Sequence, residues 1–266
     1  MDIWNQRANM DSHSYLDTLR QVLDPADQKG IKNVYLDTYF KHYLMKYLDP
    51  QPHESILEIG CGNGRLTEFI APHAKRIIGT DLIDSFIETC RSYKSKASNT
   101  EYYFLRELSN LDLSGIEKVF TLGVWMYLRE EEDLVGALCY YRKLLPNLKK
   151  IIFIEQIKNP SQIENINDDF YCIYRSIMDY TRIFHRSNLE VRQIIYAGER
   201  KFAPLAKMMF EGRSGRFFDR YSPQSVFRLS PNLFYLDHLF KLAGLAPIPT
   251  ETDKPIDVVF CLQPRL

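Results

Sequence analysis

Residues 55–64 constrain this chain more than any other stretch: an apolar run, Ser-Ile-Leu-Glu-Ile, passes directly into Gly-Cys-Gly-Asn-Gly, with glycine at 60, 62 and 64. Glycine lets the backbone turn sharply and lets a ligand approach where a Cβ would collide. A helical pattern follows, whose first turn presents unpaired N–H groups. A second apolar run then ends on Asp81, where a ribose-binding acid is expected in a doubly wound sheet. Strand, glycine loop, helix and acid-tipped strand together outline a nucleotide-cofactor site.

The alternation continues along the chain. Apolar runs predict strands over 56–59, 76–80, 102–105, 118–122 and 150–155, a sixth over 189–197 and a last over 256–262, with helices over 65–71, 83–93 and 131–145. Strands alternating with helices predict an α/β fold, a Rossmann-like and mostly parallel seven-stranded sheet with helices on both faces. Ahead of it, residues 1–50 read as a helical cap. Tyr15, Leu16, Leu19, Val22 and Leu23 repeat at helical spacing, and Tyr35, Leu36, Tyr39, Phe40, Tyr43, Leu44 and Tyr47 form a second, broader apolar face. This layer packs on the core, and a sharper reading has it also close over a ligand through Trp4, Arg7 and Tyr35. The expected organisation is one domain: cap 1–50, cofactor core 51–198, insertion or lid 199–250 and terminal strand 251–266.

Charge narrows function little, because 34 Lys and Arg balance 34 Asp and Glu. No whole-chain argument for nucleic acid or a membrane surface follows. The N-terminus lacks the basic start and apolar run of a signal peptide, so a cytoplasmic protein is expected. The five cysteines and six histidines are scattered without C-x-x-C or metal-ligand spacing, which predicts reduced, mostly buried thiols and no metal site. Residues 199–250 differ from the rest: eight Lys and Arg (Arg200, Lys201, Lys207, Arg213, Arg216, Arg220, Arg228, Lys241) stand among many Phe and Tyr. They read either as a packed helix face, with Phe234, Leu236, Leu239, Phe240 and Leu242, or as a lid or electropositive surface able to touch a membrane peripherally.

The glycine loop separates cofactor classes. A dinucleotide fold places its third glycine one position later, in G-x-G-x-x-G, where this chain has Arg65. A phosphate-binding P-loop would require Gly-Lys-Ser/Thr, which is absent here.

The run Glu58-Ile-Gly60-Cys-Gly62-Asn-Gly64-Arg65 resembles motif I of the class I S-adenosylmethionine-dependent methyltransferases, acid-x-Gly-x-Gly-x-Gly. The resemblance spans residues 47–155. Asp81 falls where that family's ribose-binding acid ends the second strand, Glu107-Leu108 resembles the adenine-side acid and its neighbour, and residues 119–128 are similar to the fourth-strand motif. Two departures are visible: Lys118 stands where an Asp commonly opens the fourth strand, and Leu145-Pro-Asn-Leu replaces the usual Leu-x-Pro-Gly-Gly turn.

The resemblance implies S-adenosyl-L-methionine as cofactor and Glu58, Gly60, Cys61, Gly62, Gly64, Arg65, Asp81, Leu82, Glu107, Leu108 and Gly123 as its binding residues. Backbone carbonyls at the glycines can accept from the cofactor ammonium. Glu58 holds the loop or reaches the ammonium through water, Asp81 accepts from the ribose hydroxyls, and Arg65 is a candidate partner for the carboxylate. Methyl transfer is an in-line displacement that mainly requires alignment and exclusion of water. Topology brings Tyr127, after the fourth strand, and Glu155, after the fifth, to the carboxyl edge of the sheet as candidate catalytic residues. Arg175, Tyr180 and His185 follow as weaker pocket candidates.

The expected acceptor is an oxygen of a small molecule or glycan, with no nucleic acid partner. The alternatives are a protein or peptide amine, because Gly64-Arg65, Tyr174-Arg-Ser and Tyr180-Thr-Arg-Ile-Phe are similar to segments of the protein N-terminal methyltransferases, and a cofactor-binding scaffold without catalysis. Oligomeric state is not legible in the sequence.

Overall fold

The computed structural model describes residues 2–27, 30–93, 98–167, 170–199 and 255–265. Three helices come first: α1 (Asp2–Ala8), α2 (Tyr15–Val22) and α3 (Ile31–Leu48). Ser14 caps α2 in a reciprocal box with Asp17, which satisfies two N–H groups that the helix start leaves unpaired. The alternating unit follows: β1 (Ser55–Ile59), α4 (Arg65–Ile70), β2 (Arg76–Asp81), α5 (Asp84–Tyr93), β3 (Thr100–Phe104), β4 (Ile116–Leu122), α6 (Glu131–Leu144) and β5 (Lys150–Ile157). A hairpin of β6 (Gln162–Asn167) and β7 (Phe170–Tyr174), then α7 (Ile177–Arg186), β8 (Leu189–Glu199) and β9 (Ile256–Pro264), complete the described chain.

Seven strands form one sheet in the order β3-β2-β1-β4-β5-β9-β8. β1 to β5 pair in parallel, and β9 enters antiparallel between β5 and β8. β1 is flanked by β2 on one side and β4 on the other, so the chain reverses direction across the sheet there. In open α/β sheets the crevice at the carboxyl ends of such strands is where ligands bind.

The sheet is buried on both faces, which is why its strands read as continuous apolar runs instead of alternating ones. On one face Tyr35, Leu36, Tyr39, Phe40, Tyr43, Leu44 and Leu48 of α3 pack with Ile56, Ile77, Phe120, Ile152 and Val259. On the other, the Phe153 ring stacks on Trp125 at 5.9 Å and meets Tyr180, Phe184 and Phe260 edge-on at 5.4, 5.0 and 6.2 Å. Tyr180, named above as a pocket candidate, is therefore core, and His185 lies exposed near the end of α7.

Four elements escaped the sequence reading: α1, β6, β7 and α7, the last although Ile177, Tyr180, Ile183 and Phe184 recur at helical spacing. α1 has seven residues, too few to display a helical period. β6 carries Ile163 and Ile166 among polar residues, so its alternation is weak, and it pairs in a separate two-stranded sheet. Lys118, the third residue of β4, pairs with Glu54 at 2.6 Å and donates to the Asp49 carbonyl at 2.6 Å. That places it at the opposite edge of the sheet from the glycine loop. Four of the five cysteines are buried thiols. Apart from the end of β8, residues 199–250 lie outside the described residues, as does their expected role as insertion or lid. Among the described residues no helix is long and apolar enough to cross a membrane.

Candidate active site

Gly60, Gly62 and Gly64 all adopt positive φ, at 75°, 52° and 74°. A side chain there is strained by its own backbone, and the space is also taken. A Cβ on Gly60 would lie 2.3 Å from Val124 Cγ2, and one on Gly64 would lie 2.5 Å from Tyr102 Oη. The glycines are therefore required twice, once by conformation and once by packing.

The hydrogen bonds of this loop define what it can hold. Gly60 N and Cys61 N donate to the Thr80 carbonyl at 2.8 and 2.9 Å, and Gly64 N donates to the Cys61 carbonyl at 3.0 Å. Gly62 N donates to Asp81 Oδ2 at 2.8 Å. These four N–H groups are thus committed inside the loop and are not arrayed outward as a diphosphate cradle would need. Carbonyl oxygens and carboxylates are left to face a ligand, which suits a cation such as an ammonium. The donor set fits S-adenosylmethionine and does not fit a dinucleotide.

Asp81 ends β2 with Oδ2 on Gly62 N and Oδ1 accepting from Ile83 N at 2.9 Å. Each oxygen keeps a second lone pair for a diol. Burial raises the Asp81 carboxyl above the ordinary range, against the pull of those backbone N–H groups. Leu82 beside it is exposed. Glu58 is enclosed in β1, where Thr67 of α4 donates to its Oε2; burial pushes this carboxyl up to about 8. The thiols of Cys61 and Cys90 both donate to the Gly62 carbonyl, at 3.6 Å, and burial raises the Cys61 thiol further.

The structure places the remaining expected contacts variously. Arg65 is buried and ion-paired to Asp37 of α3, which also takes Lys41 at 2.7 Å and the Tyr15 hydroxyl. Glu107 sits on the rim, accepting from Phe104 N at 3.1 Å and from Arg91 at 2.8 Å, as the cap of a short 3-10 helix over 105–110. The Leu108 side chain is in the core. Gly123, at the end of β4 with φ 63°, has open space where a Cβ would be.

Tyr127 and Glu155 come from adjacent strands but play different parts. Tyr127 lies in a 3-10 turn after β4, its ring edge-on to Trp4 of α1 at 5.6 Å and packed near Met126, Cys172 and Tyr174. Burial holds its phenol protonated well above the ordinary tyrosine range. Glu155 is buried, and its Oε1 accepts from Val124 N and Trp125 N, both at 2.8 Å. Burial raises this carboxyl to about 8.

Contacts that sequence reasoning missed tie the cap to the loop. Asn63 donates to the Thr18 carbonyl at 2.7 Å and to Gln21 Oε1 at 2.9 Å, and a Cβ on Gly62 would lie 2.9 Å from Val22 Cγ1. α2 therefore rests on the glycine loop. Arg7 anchors α1 by donating to the Leu23 carbonyl at 3.2 Å. Of the three cap residues expected at the ligand, Trp4 and Arg7 lie on this side, whereas Tyr35 is buried in the α3 layer.

The sheet order, the glycine loop with inward N–H groups and the acid closing β2 are those of the class I S-adenosylmethionine-dependent methyltransferase fold. A model of the family described as Nodulation protein S (NodS) matches residues 12–159, more than half of the chain, and the chain belongs to that family. It is 31% identical over 83 residues to phosphoethanolamine N-methyltransferase 1 of Caenorhabditis elegans, covering 31% of this chain and 18% of that protein. It is 28% identical over 137 residues to a probable ribosomal RNA small subunit methyltransferase A of Methanosarcina acetivorans, covering 41% of this chain and 49% of that one. The chain thus spans less than half the length of either relative. Geranyl diphosphate C-methyltransferase of Streptomyces coelicolor, solved with Mg2+, geranyl diphosphate and S-adenosyl-L-homocysteine, has the same fold, with a TM-score of 0.57 at 15% identity over 98% of this chain and 97% of that one.

Proposed function

We propose that this protein transfers the methyl group of S-adenosylmethionine to a small-molecule acceptor that enters on the Tyr127 side of the cofactor. The observation that carries the reading is the bond from Gly62 N to Asp81 Oδ2. It joins the strand-end acid to the glycine loop, so that ribose and amino-acid portions are held by one rigid unit. In the proposed arrangement Glu58 and the loop carbonyls face the ammonium and Asp81 the ribose diol. Bound there, the cofactor supplies an electrophilic methyl on sulfur. The protein then has only to align the acceptor and exclude water, and α1 and α2 over the loop, with Trp4 against Tyr127, would do the excluding.

An oxygen acceptor is the expectation from the sequence; a nitrogen acceptor is the second reading, and the state of Tyr127 favours it. A neutral, buried phenol is a hydrogen-bond partner and a poor base, and the Oε1 of Glu155 already accepts two N–H groups. An amine can lose its proton to water before binding, whereas an alcohol needs a base in place. Similarity to a phosphoethanolamine N-methyltransferase supports the same choice.

Calorimetry with S-adenosylhomocysteine tests the cofactor, and methyl-labelled S-adenosylmethionine offered to separate pools of amines, alcohols, sugars, peptides and RNA tests the acceptor. Binding followed by label in the amine pool is expected. Label in the alcohol or sugar pool selects oxygen, label in peptide or RNA overturns the small-molecule reading, and no binding at millimolar ligand overturns the whole. Binding without transfer to any pool favours a scaffold.

A further inference from the structure

The segment after β4, residues 123–129, makes one 3-10 turn, with Tyr127 N on the Val124 carbonyl at 3.4 Å and Leu128 N on the Trp125 carbonyl at 3.2 Å, and several of its other backbone groups are held from outside. Gly123 N donates to the Ile154 carbonyl at 2.9 Å, and Glu155 takes the next two N–H groups. From the other side Arg175, at the end of the β6–β7 hairpin, donates to the Trp125 carbonyl at 3.2 Å, the Leu128 carbonyl at 2.5 Å and the Arg129 carbonyl at 3.1 Å. A carboxyl oxygen takes the donors and a guanidinium takes the acceptors, and both side chains are buried. The three bonds leave two different nitrogens of the rigid guanidinium fork, whereas an ammonium presents all its donors from one.

This segment touches both halves of the site. Its Val124 side chain lies over Gly60, its Tyr127 ring faces Trp4, and its Trp125 ring stacks on Phe153 in the core. A displacement of about 1 Å in such a segment can cost about 10²-fold in rate.

We infer that Arg175 and Glu155 are positioning residues: a two-sided clamp that sets the segment carrying Val124 and Tyr127 against the glycine loop, so that the acceptor meets the methyl in line. The inference rests on the methyl-transfer reading above. It also assigns work to the β6–β7 hairpin, whose last strand delivers Arg175.

The chain has two tryptophans, Trp4 and Trp125, and both lie at this contact, so their emission reports on the segment without any acceptor. The intact protein is compared with Arg175→Met by far-ultraviolet circular dichroism, tryptophan emission and calorimetry with S-adenosylhomocysteine. The expected variant keeps its secondary structure and its S-adenosylhomocysteine affinity, shifts tryptophan emission to the red, and loses about 10²-fold in kcat on the acceptor found above. Arg175→Lys, which keeps the charge but not the fork, falls between the two. A merely structural arginine would lower thermal stability and leave the emission and kcat of the folded protein unchanged; that result overturns the inference. Where Arg175→Met does not fold, Arg175→Lys takes its place, and wild-type emission with wild-type kcat overturns the inference there too. Failure of the methyltransferase reading looks different, because the wild type then binds no S-adenosylhomocysteine.

Discussion

Glu58 is an acid enclosed in a strand, and its environment makes two measurable statements. Its carboxyl is raised from 4.5 to about 8 by burial, so between those values the folded protein holds a proton that the unfolded chain has lost. Stability therefore falls as pH rises through that window, since the folded state binds more protons than the unfolded chain and loses ground as protons become scarce. Glu58→Gln removes this dependence, and the slope of unfolding free energy between pH 5 and 8, followed by urea denaturation, should flatten. Glu155 contributes a slope of the same sign, so the variant should be flatter than the wild type without being level. An unchanged slope would mean that Glu58 is ionised in the folded protein without cofactor. Asp81 makes a prediction of binding instead. Asp81→Asn keeps the size but loses the charge toward a ribose diol; loss of a hydrogen bond to a charged group is worth about 1.5–3 kcal/mol. S-adenosylhomocysteine affinity by calorimetry should fall by about one to two orders of magnitude, and wild-type affinity would remove Asp81 from the ribose.

At the scale of elements, the glycine loop is held between two layers that belong to different parts of the chain. α4 is anchored to α3 by Arg65 and Asp37, both almost wholly buried, with the Tyr15 hydroxyl and Lys41 on the same carboxylate. Burial alone would raise the Asp37 carboxyl, but Arg65 and Lys41 together hold it below the ordinary range. Asp37→Ala leaves Arg65 buried without a counter-charge, which costs about 3–5 kcal/mol. Urea denaturation should show a loss of that order, and a loss below about 1 kcal/mol would indicate that water reaches Arg65 freely. Inside the loop, Gly64→Ala meets positive φ and the Tyr102 hydroxyl at once. The left-handed backbone alone costs about 1–2 kcal/mol. The variant should lose at least that much stability, with weakened cofactor binding in the protein that still folds.

Over the whole molecule, the aromatic cluster around Phe153 joins the site to the frame, because one of its rings, Trp125, belongs to the clamped segment. Phe153→Ala should destabilise by about 3–5 kcal/mol and also shift tryptophan emission, whereas a peripheral exposed residue such as Met178 should tolerate replacement by Ala within about 0.5 kcal/mol. The parallel sheet, the glycine loop and Asp81 were legible because each is written in neighbouring residues: apolar runs, positive-φ positions and a strand-end acid are local requirements. α1, the β6–β7 hairpin and α7 were not: α1 is too short to show a period, β6 is too polar to show alternation, and β7 is a short aromatic run with no alternation of its own. For the site, the long-range partners of the candidate residues were not legible. Nothing near Arg65 in sequence announces its pairing with Asp37, and Val124 and Trp125, whose N–H groups the candidate catalytic residue Glu155 accepts, stand about thirty positions away from it. The sequence by itself determined the fold class, the loop and the class of cofactor, since those depend on backbone conformations and periods that a few adjacent residues impose. Only the tertiary structure decided that Asn63 reaches Thr18 across 45 positions and that Arg175 reaches Trp125 across 50. Such partners are chosen by which buried polar groups the packed layers bring together and leave in need of one another.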